Sequence, residues 1–165
     1  MSKQIDALVK EMENEAITTR KMLSRIPDDK FDWKPHEKSM PVKRLSTHVA
    51  ELPGWVAMAL TQDELDFDKP GAYIRLESHS QAELMPFFEK TFTTGLEQLK
   101  KANENQLDET WILRKGDTIL QKYTRAEVIR MAYNQIVHHR AQLGVYLRLL
   151  DIPIPGSYGP SADES

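Results

Sequence analysis

The stretch that most constrains this chain is Thr124 to Asp151, TRAEVIRMAYNQIVHHRAQLGVYLRLLD. It reads as one long helix of about seven turns. Thr124 and Glu127 form a capping box, in which each side chain can satisfy a free backbone donor at the helix start. Pro153 lacks the N–H that would continue the helix. Val128, Met131, Ala132, Gln135, His139, Gln142, Leu143, Tyr146 and Leu150 recur at three- and four-residue spacing, which predicts a core-facing stripe. Polar groups interrupt the middle of that stripe. Gln135 and His139 stand four apart, so they project from the same side of the helix. A buried amide and a buried imidazole both need partners.

Three further helical patterns precede this one. Residues 2–25 carry Ile5, Leu8, Val9, Met12, Ala16, Thr19 and Leu23 as a stripe, and Pro27 with Asp28-Asp29 ends it. Residues 27–40 read as an ordered loop anchored by Phe31 and Trp33. A second helix is expected from about Pro41 to Thr61, with Val42, Leu45, His48, Val49, Leu52, Val56 and Leu60 inward. Pro53 falls inside it and should kink or locally unwind it next to His48. Residues 62–79 read as loop, with a short extended run, AYIRLES, near its end. Ser80 and Glu83 form a second capping box, which starts a third helix reaching about Ala102. Two β-rich runs at 110–124 flank Lys115-Gly116-Asp117 and predict a small hairpin. It must lie against the helices, because a lone hairpin is marginal. The tail from 151 to 165 is rich in Pro and Gly and is not a helix. The expected architecture is all-α: a single domain over 1–165, a four-helix bundle with a small β-hairpin before the last helix.

Composition narrows the chemistry. A net charge of −3 gives no electrostatic reason to expect nucleic acid or an anionic membrane as partner. No apolar run approaches the roughly 20 residues of a membrane span, and the N-terminus, charged throughout, shows no signal peptide. A cytoplasmic protein is the default expectation. The chain has no cysteine, so a metal site would have to use His, carboxylate or amide donors.

Bundles build metal sites from side chains on facing helices. His48 on the second helix, with Gln135 and His139 on the fourth, fits that plan. Two readings stand side by side: hydrogen-bonded core histidines, or ligands to a metal suited to imidazole nitrogen, Zn, Ni, Cu or Fe. Glu51, one turn from His48, could add a carboxylate or orient His48 from behind. His138 and His139 cannot both face the core, since neighbours on a helix diverge by about 100°. His138 reads as a surface or interface residue, and Arg140 as solvated or ion-paired. The fourth helix has a second side, Val137, Ala141, Gly144, Val145 and Arg148, which reads either as packing within the bundle or as the seam of a homodimer. No nucleophile elbow and no glycine-rich phosphate loop is present.

HHRAQLGVYLRLLDIPIPGSYGPSADE at 138–164, FDWKPHEKSM at 31–40 and THVAELPGW at 47–55 resemble segments of the DinB/YfiT-like proteins, and so does the order of helices and hairpin. The resemblance implies a divalent metal held by three histidines, one on the second helix and two on the fourth as H-x-x-x-H. His48 and His139 match two of those positions. The remaining one falls on Gln135, and Ala141 replaces a usual Gly. The implied metal set is therefore His48, Gln135 and His139, with Zn or Ni weakened or absent because an amide replaces an imidazole. The implied function is a metal-dependent hydrolase, or a transferase that takes a thiol as cosubstrate, acting on a small molecule. The alternative is a non-catalytic stress-related or ligand-binding bundle with a degenerate site. The resemblance also implies a homodimer. The loop at 31–40 or the tail near Tyr158 is expected to close over the histidines.

Overall fold

The computed structural model describes residues 3–72 and 76–164. The elements, in chain order, are α1 (Lys3–Leu23), a single 3-10 turn (Asp28–Lys30), α2 (Val42–Thr61), β1 (Glu64–Asp66), α3 (Gln81–Lys101), α4 (Glu104–Leu107), β2 (Thr110–Lys115), β3 (Thr118–Thr124) and α5 (Arg125–Leu149). The long helices α1, α2, α3 and α5 make the bundle, and α5 is the helix expected as the fourth. The extended run expected at 72–78 falls partly on residues 73–75, which lie outside the described residues.

Every residue of the stripe expected for α1 is buried. α2 runs as continuous helix through Pro53. Thr91 of α3 donates its hydroxyl to the Ala50 carbonyl at 2.5 Å, within the turn that Pro53 disturbs. Ser80 caps α3 by accepting from the Glu83 amide, and the box of Thr124 and Glu127 closes the start of α5. The short α4 carries a capping box of its own, Asn103 with Gln106.

The hairpin forms where expected, with Gly116 at φ +53° in its turn, a backbone conformation that glycine adopts without a Cβ clash. It belongs to a larger sheet. β1 pairs parallel to β2, Leu65 opposite Leu113, and gives a three-stranded order β1-β2-β3. Leu65 and Trp111 are buried with Leu107, Ile129 and Tyr133, which seats the sheet on the bundle. That contact supplies the apolar face a lone hairpin lacks.

The phase of α5 differs from the expected stripe. Its buried residues are Arg125, Val128, Ile129, Ala132, Tyr133, Ile136, Arg140, Leu143, Gly144 and Leu147. Met131, Gln135, His139 and Tyr146 sit at the edge of that face, and Gln142 is exposed. The rotation follows from Arg140, which is ion-paired, one of the two expected states, but buried rather than at the surface. Its guanidinium is 3% exposed and meets Glu15 at 2.7 Å, the Thr19 hydroxyl at 3.1 Å and the Tyr158 hydroxyl at 3.2 Å. With that charge paired, the aliphatic stem of Arg140 packs inward, and Gln135 and His139 turn toward the flank.

Candidate functional site

Arg125 sets the height of α5 against α2. Its guanidinium bonds the carbonyls of Ala59 and Gln62 at 2.6 and 2.7 Å and the carboxylates of Asp63 and Glu109 at 2.6 and 2.9 Å. The C-terminal end of α2 is thereby fixed to the first turn of α5. His48 lies fourteen residues before Gln62, and His139 lies fourteen residues after Arg125. With a common rise of about 1.5 Å per residue, two antiparallel helices pinned at that end bring these histidines to the same level.

The imidazoles meet edge to face, ring centroids 4.7 Å apart at an interplanar angle of 68°. Both rings are held from behind. His48 Nδ1 bonds Glu51 Oε1, one turn on in α2. His139 Nδ1 bonds Gln142 Oε1 at 2.7 Å. An oxygen acceptor at Nδ1 places the proton there in the neutral ring, so Nε2 is the lone-pair nitrogen of each. Glu51 is 7% exposed and also receives the Arg44 guanidinium at 3.5 Å, while Arg44 donates to the Leu76 carbonyl at 3.1 Å. Trp55 stands edge-on to His48 with centroids 6.1 Å apart. Burial pushes the His139 pKa below its ordinary value. The Gln142 bond opposes this, while the charges of His48, His138 and Arg44 add to it. His139 is therefore a neutral donor at pH 7.

The structure thus brings together His48, Glu51 and His139 from the sequence reading. Gln135 is not bonded to this pair. It lines a surface hollow of about 360 Å³ with Glu127, Arg130, Met131, Asn134 and His138. Among the described residues, no three His, Asp or Glu side chains are grouped to hold one metal ion. The donors fit half of a metal centre: two imidazoles, each with an oxygen behind Nδ1 as metal-ligating histidines have, and no third side chain gathered beside them.

Two residues of the site escaped sequence reasoning. Arg44, His48 and Glu51 are spaced four and three apart, a helical face that was legible, but a charged residue so near a helix start reads as solvated. Gln142 stands three from His139, the same reach as Glu51 from His48. The tail does not close over the histidines. Tyr158 donates to Glu15 Oε1 at 2.7 Å and stacks beside Arg140, around the helix from His139. The loop at 31–40 buries Phe31 and sets Trp33 edge-on to Tyr146, centroids 5.6 Å apart.

The family model of the DinB family matches residues 1–165. The chain belongs to the DinB family. YrdA of Bacillus subtilis is 21% identical over 164 residues, covering 99% of this chain and 93% of YrdA. The fold is shared with solved structures. A DinB-like protein of Bacillus cereus superposes with a TM-score of 0.73 at 18% identity, over 93% of this chain and 97% of that one. YfiT of Bacillus subtilis superposes with a TM-score of 0.65 at 13% identity, over 92% of this chain and 90% of YfiT. YfiT is described as a probable metal-dependent hydrolase with an unusual four-helix bundle topology. Among the described residues of this DinB-family chain, no helix is long and apolar enough to cross a membrane.

Proposed function

We propose that this DinB-family chain binds a divalent metal, Zn or Ni, between α2 and α5, and acts as a metal-dependent hydrolase or thiol-dependent transferase on a small molecule. The observation that carries the reading is the His48–His139 pair, with both Nδ1 atoms engaged and both Nε2 lone pairs left. His48 and His139 would be the ligands; Gln135, one helical turn from His139 but lining the neighbouring hollow, would have to swing toward the pair to act as a weak third donor. Glu51 holds the tautomer and orientation of His48 and raises its basicity, as a carboxylate behind a ligating histidine does. Arg44 fixes Glu51 in turn. Gln142 does for His139 what Glu51 does for His48, with a neutral oxygen. Such an ion supplies Lewis acidity, making a nucleophile of water or a thiol near neutral pH. With no cysteine in the chain, a thiol arrives as a cosubstrate.

A second reading rests on the missing third imidazole: a bundle that binds a small ligand without turning it over, its metal site degenerate. Calorimetric titration of Ni and Zn into protein purified without a metal-chelating tag separates the two. The metal reading expects one ion per chain, affinity reduced about 10- to 100-fold by Glu51→Gln, and no binding by His48→Ala. No heat with the unaltered chain, or affinity untouched by His48→Ala, leaves the degenerate bundle.

A further inference from the structure

On the far side of α5 lies a groove of about 370 Å³, within the range of roughly 300–1,000 Å³ typical of small-molecule sites. Ala141 lines it, two residues and roughly 200° around the helix from His139, so it is separate from the histidine pair. Val137, Val145 and Leu149 of α5 form one wall, and Ile154, Pro155 and Tyr158 of the tail form the other. We propose that this groove binds a small apolar carboxylate, its chain along α5 and its head group at Arg148.

The charge of the lining selects the head group. The groove contains Arg140 and Arg148 and no Asp or Glu. Arg140 is committed to Glu15, Thr19 and Tyr158. Arg148 is paired with Asp163 alone and is far more open to solvent. Its side chain is 46% exposed, and its two terminal nitrogens reach Asp163 at 3.2 and 2.5 Å. Arg148 Nε has no partner among the described residues. The pair is bidentate but solvent-exposed, so a ligand carboxylate would share the guanidinium through its Nε edge rather than displace Asp163. Asp163 also accepts from the Ile154 amide at 3.0 Å, so it keeps a partner when Arg148 is shared.

The wall stands before a ligand arrives. The Gly156 amide donates to Glu164, the Ser161 hydroxyl donates to the Ile154 carbonyl at 2.7 Å, and Tyr158 is fixed on Glu15. A preformed wall spares the ordering cost of closing around a ligand. The rival occupant is a second copy of the chain through the same face. A two-fold interface needs a self-complementary patch, and here a trough would meet a trough. Gly144, moreover, is buried against α1, where an added Cβ would stand 3.5 Å from Met22 Cε. Gly144 also lines the groove but is buried, which leaves Ala141 as the exposed small residue of this face.

The test is a titration of delipidated, methyl-labelled protein with millimolar decanoate, followed by NMR. The methyl signals of Ala141, Val145, Leu149 and Ile154 should shift together and saturate. Ala141→Trp, at an exposed position, should abolish the shifts, and Val145→Trp serves as the second blocking variant. Arg148→Gln should weaken decanoate roughly tenfold or more and leave decanol unchanged. Absence of saturating shifts, shifts that survive both blocking variants, or equal weakening of decanoate and decanol overturns the proposal. So does a solution mass of twice 19.0 kDa that Ala141→Trp halves, because a second copy then fills the groove.

Discussion

A Cβ added to Gly95 of α3 would stand 2.2 Å from the carbonyl oxygen of Pro53 in α2 and 2.8 Å from Met12 Cε of α1. The glycine is what lets α3 press against α2 beside the proline. A methyl group could flex the Met12 side chain aside but not the Pro53 backbone. Gly95→Ala should therefore destabilise the fold by about 3 kcal/mol, the upper range for overpacking a tight core. Urea denaturation measures it as a lower midpoint with an unchanged slope. A midpoint equal to that of the unaltered chain would show that the two helices separate at little cost.

The α1 stripe was legible because its buried positions are apolar, apart from Thr19, whose hydroxyl bonds its own Glu15 carbonyl at 2.8 Å. The α5 stripe was not, because Arg140 hides a core position behind a charged side chain whose partners lie on α1 and in the tail. Reading Arg140 as outward rotates the helix and puts Gln135 inward. β1 was missed for another reason: Glu64-Leu65-Asp66 alternates over only three residues, too few to signal a strand, and its pairing with Ile112 to Arg114 is non-local. In the site, His48 and Glu51 were legible from spacing on one helix. The partner of His139 was not, since both Gln135 and Gln142 lie within one turn of it and only the packing of α5 selects Gln142.

Acid should release the tail at Asp163. The hydrogen bonds from Arg148, and next the Ile154 amide, hold its carboxyl pKa below 3.8, against a smaller opposing effect of burial. The folded value is lowered, so the unfolded chain takes up the proton first as pH falls. The contribution of Asp163 to tail docking is full above the unfolded carboxylate range near pH 4. It is lost as pH drops through the folded value. The Ile154 amide shift, followed by NMR, should titrate with a midpoint below 3.8, and Arg148→Gln should move that midpoint upward. A midpoint at or above 3.8 in the unaltered chain would mean that these contacts do not persist in solution.

Gln135→His should raise affinity for Ni or Zn by about tenfold or more, because an imidazole nitrogen suits these ions better than an amide oxygen. The position stands four residues from His139, where side chains on a helix are neighbours. Burial lowers the His139 pKa and so favours its neutral, ligating form, and His48 faces it at 4.7 Å. The substitution adds a third donor to a pair that is otherwise oriented. Position 135 also borders the hollow that contains His138, and a new imidazole there could pair with that histidine on the surface instead. His138→Ala in the same background separates the cases. Calorimetry on the single and double variants should show the gain retained without His138, which ties it to His139 and His48. A gain that vanishes with His138 places the new site on the helix surface. Equal affinity of the unaltered chain and Gln135→His, or no binding by either, means that positions 48, 135 and 139 do not converge on one ion.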